Sequence, residues 1–220
     1  MSFDGVIFDL DGTLIDSMHC WENIDKAFLL ENGIEPPPGV SDVVKKMTIE
    51  ESALYFKTQF SLEQSCEDIS DRIEEMVRYQ YFHEIPLKEG AYETVMKLYK
   101  VGVKMCVATA TYKPLACAAL ERLGILDCFE FVINCTDVGC GKDRPDIFIE
   151  SAKKLGCDIS RTAVAEDSLH CIESAVAAGF RTIAVYDDIS SGEWEDICHA
   201  AWKNVRTPGE IAEIIMSFSA

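Results

Sequence analysis

Four times between residues 88 and 186 a helical stretch stops at a glycine and an apolar run follows. The glycines are Gly102, Gly124, Gly156 and Gly179. The runs are Val103 to Ala108, Phe131 to Ile133, Thr162 to Ala165 and Thr182 to Tyr186. Glycine is favoured just past a helix end because it takes the left-handed conformation without strain. Strands that alternate with helices are joined by right-handed crossovers, which build a parallel sheet covered by helices on both faces. The rest of the chain is constrained by this α/β frame. Gly90 to Lys100 reads as the helix before the second strand, and Ile211 to Phe218 as a closing helix.

One more apolar run lies near the start, Val6-Ile7-Phe8, and it ends in Asp9-Leu10-Asp11-Gly12. Unpaired charges in a core are expensive. The two carboxylates therefore either meet a cation or sit where the sheet opens to solvent.

Residues 17–87 break the alternation. Trp21, Ile24 and Phe28 recur at helical spacing, and Gly33 with Pro36-Pro37-Pro38-Gly39 ends that helix. Thr48-Ile49-Glu50-Glu51 has the form of a capping box. Leu62, Cys66, Ile69, Ile73 and Met76 predict a long further helix. With no convincing strand, this stretch is expected to be an inserted all-helical cap on a core made of residues 1–16 and 88–220.

The charge of −18 argues against nucleic acid and anionic membrane surfaces as partners. No apolar stretch approaches the ~20 residues of a membrane span. A strand starting by about residue 5 leaves no room for a signal peptide. The ten cysteines form no C-x-x-C pair, which suits reduced thiols in the cytoplasm.

In an open parallel sheet, ligands bind outside the carboxyl ends of the strands. The residues found there are Asp9 and Asp11, then Thr109-Ala110-Thr111, then Glu166-Asp167, with Lys142 in a glycine-bearing loop before a helix opened by Pro145-Asp146. Each has a plainer explanation alone: Asp11-Gly12 as a turn, Asp167 as a helix N-cap, Lys142 as a solvated lysine. All would have to coincide at one sheet edge in compatible types. Clustered carboxylates suit Mg²⁺, and a hydroxyl with a lysine suits phosphoryl oxygens. One aspartate is then left to attack and the other to move a proton.

Asp9-Leu10-Asp11-Gly12-Thr13-Leu14-Ile15-Asp16-Ser17 resembles the first signature of the haloacid dehalogenase-like hydrolase superfamily. Thr109 matches its second motif, Gly141-Lys142 with Pro145-Asp146-Ile147-Phe148 its third, and Glu166-Asp167-Ser168 its fourth. The chain is most similar to the β-phosphoglucomutase-like group, whose helical cap lies between the first two motifs. The resemblance implies a Rossmann-like core and a Mg²⁺-dependent phosphatase acting on small phosphorylated metabolites. It implies Asp9 as nucleophile, Asp11 as acid and base, and Thr109, the Ala110 N–H and Lys142 as phosphoryl ligands. Asp9, the Asp11 carbonyl and Asp167 would hold the metal, with Glu166 as a further or outer ligand. Trp21, Lys45 and Lys46 are the cap residues expected near a leaving group.

Where β-phosphoglucomutases carry a cap histidine and a cap arginine, this chain has Trp21 and Ile49. That disfavours the alternative, a sugar-phosphate mutase. Asp143-Arg144 replaces the usual proline-alanine after the lysine. The dehalogenase branch lacks an acid at the place of Asp11. A phosphoryl-accepting regulatory protein, the alternative of another class, needs no cap of this size.

Overall fold

The structure is a computed structural model that describes residues 3–44 and 47–218, without the side chains of Trp21, Glu22 and Asp42. The chain divides into two compact units: Ser17–Ile85, and Met1–Asp16 with Pro86–Ala220.

The first strand, β1 (Gly5–Phe8), is followed by the helical unit of α1 (Met18–Glu31), α2 (Val40–Val44), α3 (Ile49–Phe60) and α4 (Cys66–Tyr79). Within it, Ile24 and Phe28 of α1 are buried, as their spacing predicts, and Phe28 meets Phe56 of α3 at a 5.3 Å ring separation. Thr48 and Glu51 close the expected capping box on α3, with backbone-to-side-chain bonds of 2.8 and 3.2 Å. The long further helix is shorter than its apolar spacing suggests. It starts at Cys66 and not at Leu62, because Ser65 and Asp68 form a second capping box that sets its first turn. The short helix α2 escapes detection because the proline-glycine run before it reads only as a turn.

The sheet unit resumes at Pro86, two residues before the expected boundary. There the Asp16 N–H donates to the Pro86 carbonyl at 3.0 Å and Ile15 bridges Leu87. It continues as α5 (Ala91–Lys100), β2 (Lys104–Thr109), α6 (Lys113–Arg122), β3 (Val132–Asn134), α7 (Cys135–Val138), α8 (Asp146–Leu155) and β4 (Thr162–Glu166). Then come α9 (Leu169–Ala177), β5 (Arg181–Val185), α10 (Trp194–Ala200), β6 (Lys203–Val205) and α11 (Ile211–Ser217). The predicted glycines Gly102, Gly124, Gly156 and Gly179 all have positive φ just beyond their helices. β6 is an addition: only Val205 of its three residues is buried, so it carries no apolar run to read.

All six strands are parallel, in the order β3-β2-β1-β4-β5-β6, a Rossmann-like arrangement. Ile7, Cys106, Ala108, Ile133 and Val164 present one sheet face to Ile147, Phe148, Ala152 and Leu155 of α8 and to Cys171 and Ala175 of α9. Val6 and Phe8 alternate to the opposite face and are equally shut from solvent, so the sheet is covered on both sides. The order reverses between β1 and β4, and a crevice at the carboxyl ends of such a pair is where ligands of open α/β sheets bind. Among the described residues no helix is long and apolar enough to cross a membrane.

Candidate active site

Asp9 follows β1 directly, and its N–H still donates to the Ala165 carbonyl of β4 at 2.9 Å. The chain then curls: the N–H groups of Leu14 and Ile15 donate to the Leu10 carbonyl at 2.9 and 3.0 Å. Gly12 takes φ +83°. A Cβ added there would lie 2.7 Å from Asp167 Oδ2, so only glycine lets this loop approach the end of β4.

Three buried carboxylates converge at this point. Asp9, Glu166 and Asp167 each offer an oxygen, and these oxygens lie within 4.8 Å of one another. Lys142 reaches in from the loop before α8; its ammonium donates to Asp9 Oδ1 and, at 2.8 Å, to Glu166 Oε1. Glu166 Oε2 accepts from the N–H groups of Asp167 and Ser168 at 2.8 and 3.0 Å. Both Glu166 oxygens are thus engaged in holding Lys142 and the turn after β4. Asp167 is not a helix N-cap: Ser168 holds that place on α9. The Ser190 hydroxyl donates to Asp167 Oδ2 at 3.4 Å.

Burial pushes the Asp9 carboxyl up to about 7, against the lowering pull of Lys142. Burial also pushes Asp167 well above its ordinary value, helped by the charges of Glu166, Asp9 and Asp187. Burial acts on Glu166 too, but there the adjacent Lys142 ammonium wins and the net displacement is downward. Lys142 itself is raised well above 10.5, because Asp9 and Glu166 together outweigh its burial. One ammonium among three buried carboxylates leaves excess negative charge. A hard divalent cation with oxygen ligands fits that donor set.

Asp11 is half-buried, and its Oδ2 accepts from the Thr111 hydroxyl at 2.7 Å, with the Thr109 hydroxyl at 3.5 Å. The Thr109 hydroxyl in turn accepts from the Thr111 N–H at 2.9 Å. Ala110 lies between them, exposed just past the end of β2. The structure therefore brings together Asp9, Asp11, Thr109, Lys142, Glu166 and Asp167 at one sheet edge. The Trp21 side chain, Lys45 and Lys46 lie outside the described residues. Sequence reasoning placed Thr111 at this sheet edge without a role, and missed Ser190, Lys88 and Asp187. For Asp187 a signal existed: Asp187-Asp188 closely follows an apolar run, as Glu166-Asp167 does. Lys88 carries none.

A family model described as haloacid dehalogenase-like hydrolase matches residues 6–185. The pyrophosphatase PpaX of Halalkalibacterium halodurans is 26% identical over 202 residues, with 84% of each chain covered. Hexitol phosphatase A of Escherichia coli is 26% identical over 185 residues, again covering 84% of each. A Thermotoga maritima structure assigned as a β-phosphoglucomutase superposes with a TM-score of 0.87 at 21% identity, covering 99% of both chains. At that identity the likeness concerns the fold.

Proposed function

The chain belongs to the haloacid dehalogenase-like hydrolases, and from that membership we propose a Mg²⁺-dependent phosphatase of small phosphorylated metabolites that works through an aspartyl-phosphate on Asp9. The observation that carries the reading is the convergence of Asp9, Glu166 and Asp167 around Lys142 in a buried cluster. The phosphatases among its relatives support the reaction class.

In this reading Asp9 attacks phosphorus, and the bond from phosphorus to the ester oxygen breaks. Asp11 gives its proton to that leaving oxygen, then takes one from the water that cleaves the aspartyl-phosphate. The Thr109 hydroxyl, the Ala110 N–H and the third N–H of Lys142 hold the non-bridging oxygens. Asp9, Asp167 and the Asp11 backbone carbonyl would hold the cation, with Glu166 outside them as the anchor of Lys142. Bound there, Mg²⁺ supplies the positive charge that offsets the clustered acids and admits a phosphoryl anion. The absence of any C-x-x-C pair among the ten cysteines supports a reducing compartment such as the cytoplasm.

The test is phosphate release from p-nitrophenyl phosphate and a panel of phosphorylated sugars, nucleotides and small acids. Turnover is expected with Mg²⁺, lost in EDTA, and absent in a folded Asp9→Asn protein. Turnover that survives either chelation or that substitution refutes the assignment.

A further inference from the structure

Lys88 lies two residues after the chain re-enters the sheet unit at Pro86. Its ammonium donates to three acceptors: the Gly12 carbonyl at 2.6 Å, the Tyr186 carbonyl at 2.8 Å and Asp187 Oδ2 at 2.8 Å. An ammonium has three N–H groups, so all are used and none remains for a substrate phosphate. The pair is shielded, with side-chain exposures of 13% for Lys88 and 5% for Asp187. Asp187 Oδ1 accepts from the Ile189 N–H at 3.0 Å, and the next residue is Ser190, whose hydroxyl lies near Asp167.

Gly12 is held from both sides. Its carbonyl is gripped by Lys88, and its N–H donates to the Ile15 carbonyl at 3.0 Å. That N–H belongs to the same planar peptide as the Asp11 carbonyl, so fixing one orients the other. We propose that Lys88 and Asp187 are positioning residues for the cation site, locking the Gly12 peptides so that the Asp11 carbonyl faces Asp167. The proposal rests on the Mg²⁺-dependent reading of that site. Outer groups of this kind typically change metal affinity ~10–100-fold when removed.

A purely electrostatic role predicts the opposite sign. Asp187 adds negative charge beside Asp167, and removing the positive Lys88 would on charge alone tighten the hold on a cation. The decisive variant is the double substitution Lys88→Met with Asp187→Leu, which removes one charge of each sign and leaves neither stranded. Calorimetric titration of the otherwise intact protein with MgCl₂ is expected to show affinity at least ~10-fold weaker than wild type, with circular dichroism unchanged. Unchanged affinity in the folded double variant overturns the proposal. Should that variant fail to fold, Lys88→Met alone decides: weaker Mg²⁺ binding supports positioning, and equal or tighter binding overturns it. Failure of the underlying reading looks different, because the wild-type protein then takes up no Mg²⁺ in the same titration, and the proposal falls with it.

Discussion

Stripped of divalent cations, the protein should lose stability as pH rises from about 5 to 8, the reverse of ordinary acid denaturation. Burial raises the Asp9 carboxyl from 3.8 to about 7 and displaces Asp167 in the same direction. For a group raised on folding, the native state binds the extra proton between the two values, so ∂ΔG/∂pH is negative there. The stability is fully present below 3.8 and is lost as pH passes through about 7. At ~1.36 kcal/mol per pH unit, Asp9 alone withdraws roughly 3 kcal/mol between about pH 5 and 8. In a chain of this size that corresponds to a Tm lower by roughly 6–12 °C. Glu166 does not oppose it: its carboxyl is lowered, so its contribution is lost only as pH falls below 4.5. Lys142 is raised above 10.5, and its contribution is constant over the same window. Thermal unfolding followed by circular dichroism in EDTA measures the slope. Saturating Mg²⁺ needs these carboxylates ionised, so it should flatten the slope, adding ~2.7 kcal/mol at about 100 times Kd. In Asp9→Asn, which has no proton to take up there, the Asp9 part of the slope should vanish. A metal-free Tm that stays level or climbs from pH 5 to 8 refutes the reasoning, as does an unaltered slope in Asp9→Asn.

Three further outcomes follow from the same geometry. Lys142→Met leaves Asp9 and Glu166 buried without their shared ammonium, a break worth ~3–5 kcal/mol in comparable pairs; denaturant unfolding should show that loss, and phosphate release should disappear. Gly12→Ala forces a side chain into φ +83° and within 2.7 Å of Asp167 Oδ2; a stability loss of ~1–2 kcal/mol or more should accompany weaker Mg²⁺ uptake, and calorimetry matching wild type would contradict the loop's role. Thr48→Ala removes one half of the capping box on α3 and should lower the stability of the helical unit by ~1 kcal/mol; an unmoved denaturation midpoint would show that the cap contributes nothing.

How much could be read beforehand depended on whether a residue's role is written in its neighbours. The helix-stop glycines and the apolar runs behind them are local signals, and β2 to β5 lie within a residue or so of where those signals put them. Asp9, Asp11, Thr109, Lys142 and Asp167 are legible because each sits at a strand end or in a marked loop. Lys88 is illegible for the opposite reason. Its partners, Gly12, Tyr186 and Asp187, are 76 to 99 residues away in the chain. β6 fails differently: Lys203 and Asn204 are exposed, so the backbone ladder to β5 holds the strand without an apolar pattern.

Strand order is the step that no local pattern supplies. Asp9, Thr109 and Asp167 stand at the carboxyl ends of three different strands, and their spacing along the chain says nothing about proximity. They meet because β1 is central, with β2 on one side and β4 on the other. Neighbouring strands lie ~4.8 Å apart, so the ends of β2, β1 and β4 span about 10 Å, enough for a phosphoryl group beside a cation. Were β1 at an edge, either Thr109 or the Glu166-Asp167 pair would be separated from Asp9 by a further strand. In the second case Lys142 would have no way to pair with Asp9 and Glu166 at once, as it does here. The shared lysine is therefore a test of topology as well as of chemistry: one ammonium bonded to the ends of β1 and β4 requires those strands to be adjacent, with the loop before α8 returning across their carboxyl ends.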